Sequence, residues 1–218
     1  MVALLSGHTN EHSGVIDPNG FDYEVWLYDV NVAAGGSIDV NGSGLGVDET
    51  LVVDGRGEKD GSLRIFGGAA GDTLYGGAGS DMLFGGLGSD VLIGGEGADL
   101  YVFRRAPEST STAFDRIEGF DWTVDRIDAP GNATRAFSQS AQGALSLQSF
   151  DADLAAGLSG VLGPEQAALF TASTGDLSGQ LFAVIDVNGI DGYQAGEDLV
   201  IRLATGILPI DPNAFIIV

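Results

Sequence analysis

Residues 67–102 read GGAAGDTLY, GGAGSDMLF, GGLGSDVLI and GGEGADLYV, four consecutive blocks of nine. Every block opens with two glycines, carries aspartate at its sixth position and a large apolar residue at its eighth. Self-similarity at a fixed period is typical of repeat architectures. We therefore predict an all-β fold in which three residues of each block form a strand with one side chain inward. The other six residues reverse the chain.

Two blocks then complete one coil of a parallel β-roll, a form of β-solenoid. Equivalent turns stack at the spacing of neighbouring strands, about 4.8 Å, which places Asp72 over Asp90 and Asp81 over Asp99. The residues between Ile65 and Phe103 include five acids and no Lys or Arg, so nothing in the segment relieves the repulsion. A divalent cation between the turns would relieve it, and a flexible cage of six or more oxygens is the preference of calcium. The alternative is a solvated acidic loop.

The four blocks resemble the calcium-binding nonapeptides of the RTX, or hemolysin-type, proteins. In that family each ion lies between turns n and n+2, so the resemblance implies at least two Ca²⁺ ions here. Turn 54–60 is a candidate for one or two more. The implied ligands are the carboxylates of Asp72, Asp81, Asp90 and Asp99, with the carbonyls of Gly68, Gly77, Gly79, Gly86, Gly88, Gly95 and Gly97. Ala70 replaces the glycine of the pattern, and we expect it to distort the first turn because alanine tolerates positive φ poorly.

Outward from the repeats the chain changes character on both sides. We predict five regions: a leader with a capping strand (1–34), irregular solenoid coils (35–66), the calcium-binding β-roll (67–103), a post-repeat capping region (104–148) and a mostly β secretion-type domain (149–218). Segments 114–120 and 124–128 are predicted as strands. One short helix is expected after a cap at Asp151 or Asp153, and a second over 165–170 with Pro164 in its first turn.

The region after the repeats is similar to the C-terminal part of serralysin-type proteases. The similarity covers 115–128, the segment 186–201, which we interpret as a hairpin and not an EF-hand, and the apolar terminus 215–218. It implies export by type I secretion through an uncleaved C-terminal signal. The expected location is extracellular, and the expected partner during export is the type I secretion machinery.

Composition excludes several functions. With 31 Asp and Glu against 9 Lys and Arg, the net charge of −22 leaves no basic patch for nucleic acid. No run approaches 18 apolar residues, so we predict no membrane span, and without cysteine there is no thiolate site. Trp26 and Trp122 are expected in the core, the alternative being a sugar-binding platform.

We predict a binding protein and no enzyme. The stretch HTNEH at 8–12 has the spacing of a zinc-protease motif, but glycines bracket it and no helical apolar period surrounds it. No GxSxG motif occurs in the chain. The predicted function is therefore a secreted calcium-binding module that folds on binding Ca²⁺. Two alternatives remain open: the targeting part of a larger secreted protease or lipase, and a calcium-dependent surface-layer or adhesive protein with a cell-surface or self-association partner.

Overall fold

The nonapeptide segment and the residues before it fold as short strands joined by turns. The computed structural model describes residues 2–3, 22–131, 135–204 and 216–217. The chain forms two units, Met1–Val102 and Phe103–Val218. The strands of the first unit are β1 (Val2–Ala3), β2 (Tyr23–Tyr28), β3 (Ser37–Asn41), β4 (Leu51–Gly57), β5 (Ser62–Phe66), β6 (Thr73–Tyr75), β7 (Met82–Phe84), β8 (Val91–Ile93) and β9 (Leu100–Val102).

Successive strands of this unit alternate between two parallel sheets, which is the architecture of a β-roll. One sheet has the order β1-β3-β5-β7-β9 and the other the order β2-β4-β6-β8. The register pairs Leu74 with Leu92 and Leu83 with Tyr101, so each strand of the repeats lies beside the strand two repeats later. The predicted fold class is confirmed, and two nonapeptides complete one coil.

The interior of the roll is built from the eighth residue of each repeat. Leu74, Leu83, Leu92 and Tyr101 are fully buried, while the strand residues before them are only half-buried. Successive side chains of a strand point to opposite faces, so a three-residue strand turns its central residue inward. Burial of one such side chain contributes about 1.5–3 kcal/mol. The nonapeptide period therefore sets both the strand spacing and the core.

The coils before the repeats continue the same two sheets with longer turns. Val53 pairs with Leu74 and Val40 pairs with Ile65, and the partners in each pair are farther apart in sequence than two nonapeptides. The inward side chains of these strands are as fully buried as those of the repeats. The extra residues therefore lie in the turns.

The prediction that Trp26 lies in the core is wrong. Trp26 is 57% exposed, and Tyr28 is similarly exposed, whereas Leu27 between them is buried. Strand alternation turns Leu27 toward the interior and the two aromatic rings outward. Trp122, in the second unit, is half-buried, and its ring packs edge-on against Phe120 at 5.2 Å.

The second unit is a mixed sheet with one α-helix in its described residues. The sheet order is β11-β16-β12-β13-β14-β15-β10, with β13-β14 and β14-β15 antiparallel and β12-β13 and β10-β15 parallel. Two 3-10 turns, Ala106–Glu108 and Leu147–Ser149, complete the unit. Its elements are β10 (Asp115–Glu118), β11 (Arg126–Asp128), β12 (Arg135–Ala144), α1 (Phe150–Leu158), β13 (Ala167–Thr174), β14 (Leu181–Ile185), β15 (Leu199–Ala204) and β16 (Ile216–Ile217).

One predicted helix forms and the other does not. Helix α1 begins after Ser149, so the predicted cap at Asp151 or Asp153 is wrong. Both aspartates lie in the first turn of the helix, and Ser149, the N-cap, donates its hydroxyl to Asp153 Oδ2 at 2.8 Å. The helix predicted over 165–170 is wrong, because Glu165 has a φ of 55° and β13 begins at Ala167. The apolar run that follows Glu165 is buried between β12 and β14, and pairing on both sides outweighs its helical propensity.

Segment 186–201 forms a hairpin loop and the strand after it, as predicted. Strands β14 and β15 pair antiparallel from Leu181 to Ile185. In the loop between them, buried Asp186 accepts the backbone N–H groups of Asn188, Gly189 and Glu165 at 2.8–2.9 Å. This carboxylate is therefore used to hold the loop.

Two predictions concern residues at the ends of the chain. The stretch HTNEH lies outside the described residues, as do residues 215 and 218 of the apolar terminus, whose strand is described at Ile216–Ile217. None of the helices in the described ranges is long and apolar enough to cross a membrane.

We predict that Leu92→Ala lowers the free energy of unfolding by about 3 kcal/mol, because a buried leucine replaced by alanine leaves a cavity in the roll. Urea denaturation in excess calcium measures the change. Val47→Ala is the control, since this side chain is 71% exposed and we expect a change within about 0.5 kcal/mol. Equal effects of the two substitutions would contradict the assignment of Leu92 to the core.

Candidate metal centre

The glycine-rich turns of the repeats stack in two columns. Leu87 N, in the third repeat, donates to Gly68 O in the first at 3.0 Å, and Glu96 N, in the fourth, donates to Gly77 O in the second at 3.1 Å. The first and third turns therefore form one column, and the second and fourth turns form the other. The aspartates that were predicted to stack lie in stacked turns.

The aspartate of each repeat is buried and ties its turn to the coil before it. All four side chains belong to residues that are only 1–2% exposed. In each, Oδ1 accepts a backbone N–H of the preceding coil at 2.7–2.9 Å. The donors are Leu51 for Asp72, Leu63 for Asp81, Asp72 for Asp90 and Asp81 for Asp99. The sixth residue of the repeat therefore links its turn to the preceding coil through a hydrogen bond of its own carboxylate.

The second carboxylate oxygen faces the start of its own turn. Oδ2 of Asp72 accepts the N–H of Gly68 at 2.6 Å, and Oδ2 of Asp81 accepts that of Gly77 at 2.6 Å. A carboxylate offers about four lone-pair sites, so these hydrogen bonds together with the one at Oδ1 do not exhaust it. Each of these carboxylates retains acceptor capacity for a cation.

Burial makes the charged form of these aspartates unfavourable. It raises the pKa of Asp72 to about 6, although the N–H groups of Gly68 and Leu51 act in the opposite direction. Burial also raises the pKa of Asp81, and the nearby charge of Glu58 adds to this effect. A desolvated carboxylate favours its neutral form unless an opposite charge lies close to it. A cation between the turns would supply that charge.

The predicted carbonyl ligands lie in the same turns as the carboxylates. A Cβ atom at Gly86 or Gly95 would overlap the carbonyl oxygen of Gly68 or Gly77, and both glycines have a φ above 100°. Gly79 O faces the turn above it in the same way, at Gly97. The columns therefore bring backbone carbonyls of one turn against the glycines of the next, where no side chain fits. Gly88 faces the carbonyl of Ala70 in the same manner.

The expected distortion at Ala70 is absent for a physical reason. Within the described chain, positive φ in the repeats occurs at the second and fourth residues of the third and fourth turns only. Ala70 is buried and its backbone avoids the left-handed region, as does Gly79 at the matching position of the second turn. Alanine therefore replaces glycine here without backbone strain.

The wider turns use glutamate where the repeats use aspartate. Glu49 Oε2 accepts the N–H of Gly46 at 2.7 Å, and Glu58 Oε1 accepts that of Gly61 at 2.9 Å, with both residues buried. These two glutamates were not predicted as site residues from the sequence, because their irregular spacing does not match the repeat pattern. Asp54, at the start of predicted turn 54–60, instead lies on β4 and forms a two-point ion pair with Arg56.

Comparison with known families agrees with this geometry. The family model of the RTX calcium-binding nonapeptide repeat matches residues 66–101 in four copies, which are the four blocks to within one residue. No curated protein sequence matches the chain.

Without calcium, we predict that the free energy of unfolding rises as the pH is lowered from 7.5 to about 5. The pKa of Asp72 is about 6 in the folded chain against an ordinary value of 3.8, so the folded state binds the proton more tightly. This stabilisation is complete below pH 3.8 and is lost as the pH rises through 6. One pKa unit corresponds to about 1.4 kcal/mol, which gives up to about 3 kcal/mol for Asp72.

The fraction of folded chain in EDTA, measured by far-UV circular dichroism at pH 5, 6 and 7.5, reports this dependence, and Asp72→Asn should weaken it. In calcium the slope should reverse, because protons then compete with the ion for the same carboxylates. Stability in EDTA that increases toward pH 7.5 would contradict the prediction.

Proposed function

We propose that this chain, whose residues 66–101 match the RTX calcium-binding nonapeptide repeat, is an exported RTX, or hemolysin-type, protein that folds its β-roll on Ca²⁺ outside the cell. The observation that carries this proposal is the stacking of buried aspartates in a segment with no Lys or Arg. Each column holds two carboxylates with an adjacent set of backbone carbonyls. This is the oxygen-rich chemistry that calcium prefers.

At least two ions are proposed, one in each column. The first would take Asp72 and Asp90, and the second Asp81 and Asp99, with carbonyl oxygens from the glycines of the same turns. Gly68 O and Gly77 O already accept a backbone N–H from the turn above. A carbonyl oxygen has a second lone pair, so these two oxygens can serve the ion and the hydrogen bond together.

Calcium binding is proposed to drive folding of the roll. A net charge of −22 favours an expanded chain through self-repulsion, and the buried aspartates add an unfavourable desolvation term. When a metal site exists only in the folded state, binding free energy becomes folding free energy. Extracellular calcium sites work at about 10⁻⁴–10⁻³ M, so the chain would remain unfolded at the much lower calcium level inside a cell.

The second unit is proposed to carry the export signal, read by a type I secretion system and not cleaved. The support is the similarity of 115–128 and 186–201 to the C-terminal part of serralysin-type proteases, and the presence of strands and a hairpin in these segments. We propose a binding role without catalysis for the protein.

A second candidate is a calcium-dependent adhesive or surface-layer component. The observation that favours it is the exposed aromatic pair Trp26 and Tyr28 on β2, which lines a shallow surface pocket together with Arg56. Sedimentation with and without calcium separates the candidates, because an adhesive component would self-associate in calcium and the proposed module would remain a monomer.

We predict a cooperative gain of far-UV circular dichroism at about 0.1 mM to a few millimolar added calcium, the range of extracellular sites, starting from a chelated sample. Asp90→Asn removes one carboxylate charge from a column and keeps its shape. A charge-assisted interaction is worth about 1.5–3 kcal/mol, so the midpoint should move to at least about tenfold higher calcium.

Asp176→Asn is the matched control, since Asp176 is an exposed acid outside the repeats, and its midpoint should equal that of the unmodified chain. A spectrum that does not respond to calcium would overturn the proposed folding switch. An equal shift in both variants would show that net charge, and not the stacked site, controls folding.

A further inference from the structure

Three acids outside the nonapeptides, Asp29, Glu58 and Asp60, form a compact cluster in the first unit. Oxygens from the three carboxylates lie within 4.8 Å of one another. We propose that they bind an additional calcium ion, separate from the ions of the repeat turns. This site goes beyond the two ions of the proposed function: it assigns ligands, one of them from loop 29–36, to the additional ion expected at turn 54–60, in irregular coils that lack the GGxGxD pattern.

The cluster lies where loop 29–36 stacks on turn 57–61. Asp29 N donates to Gly57 O at 3.0 Å, and Gly35 N donates to Asp60 O at 2.9 Å. Turn 57–61 also continues one of the repeat columns, because Ala78 N, in the second repeat, donates to Glu58 O at 3.1 Å. The three acids therefore occupy the interface between the first described turn of this column and the next.

Glu58 is the residue that points to a ligand. It is only 1% exposed. Its Oε1 accepts the backbone N–H groups of Lys59, Asp60 and Gly61 at 2.9–3.3 Å. Its Oε2 is buried and has no hydrogen-bond partner among the described residues. A buried carboxylate oxygen without a partner is costly, and a cation bound by the neighbouring acids would satisfy it.

The spacing of the oxygens fits a single calcium ion. Two oxygens bound to one Ca²⁺ at about 2.3–2.6 Å are at most about 4.6–5.2 Å apart, and the separations in the cluster fall within that limit. Asp29 and Asp60 are exposed, so water can complete the coordination shell and the ion has an entry path. All three side chains offer oxygen, whereas zinc prefers nitrogen or sulfur.

No basic side chain neutralises the cluster in the part of the chain that is described. The ion pairs found there join Arg residues to other acids, and none includes Asp29, Glu58 or Asp60. Three carboxylates would repel one another at this distance. A divalent cation removes most of that repulsion and ties loop 29–36 to turn 57–61, so the ion would close this end of the column.

The test counts bound calcium on the full chain by equilibrium dialysis. Glu58→Gln keeps the Oε1 acceptor for the three backbone N–H groups and removes the charge. Asp60→Asn removes the charge of an exposed acid. Each variant should bind one ion fewer than the unmodified chain. Asp48→Asn, which removes an exposed acid from a neighbouring turn, should bind the same number.

A second readout reports on the site itself. Lys59 is the only lysine of the chain and lies between Glu58 and Asp60, so a lysine-specific endoprotease cuts inside turn 57–61. Calcium should slow this cleavage by at least tenfold in the unmodified chain and in Asp48→Asn. The protection should be lost in Glu58→Gln and Asp60→Asn while their circular dichroism midpoints stay within twofold of the unmodified value.

Unchanged ion number and protection in both site variants would overturn the proposal, as would an equal loss of ions in Asp48→Asn. If magnesium at the same concentration protects Lys59 as well as calcium does, the assignment to calcium is overturned. The repeat sites are tested separately by Asp90→Asn, which should shift the folding midpoint and keep the protection of Lys59. Failure of one proposal is therefore distinguishable from failure of the other.

Discussion

The parallel register of one coil for every two repeats places each turn directly on the turn two repeats earlier. Parallel strands lie about 4.8 Å apart, so any side chain that recurs in the turns must stack on its own copy. For the aspartates this means burial beside a like charge. At the second residue of a turn, stacking places a carbonyl oxygen of the neighbouring turn where a Cβ atom would be, as at Gly86 and Gly95.

The aspartates have two roles that depend on each other. As hydrogen-bond acceptors they join successive coils, because Asp90 accepts the N–H of Asp72 and Asp99 accepts that of Asp81. As buried charges they oppose the same stack, which the raised pKa of Asp72 and Asp81 expresses. Under the proposed function, a proton or a cation compensates this charge, and at neutral pH a cation is the effective choice.

Burial of an acid is not enough to indicate a cation site in this protein. Asp198 is fully buried in the β14–β15 loop, and burial raises its pKa to about 6, yet its Oδ2 accepts the N–H of Gln194 at 2.7 Å within a closed loop. Asp186 is likewise surrounded by backbone donors. Glu58 differs, because its Oε2 has no hydrogen-bond partner in the described ranges and two further acids lie close to its carboxylate. The distinguishing feature is therefore a cluster of several carboxylates that includes one with an unsatisfied buried oxygen.

The sequence by itself determined the β-roll, its coil of two nonapeptides and the stacking of the repeat aspartates. With a strict period of nine, a buried residue such as Leu92 and a turn residue such as Asp90 recur at fixed positions, and few folds accommodate that pattern. It also located most strands of the second unit, including the hairpin that ends at β15. Only the tertiary structure decided that segment 167–170 is a strand, because its neighbours on both sides supply pairing that local propensity does not contain. Tertiary structure also exposed Trp26 on β2 and brought Asp29 to Glu58 across an irregular coil, since irregular turns have no period from which such contacts follow.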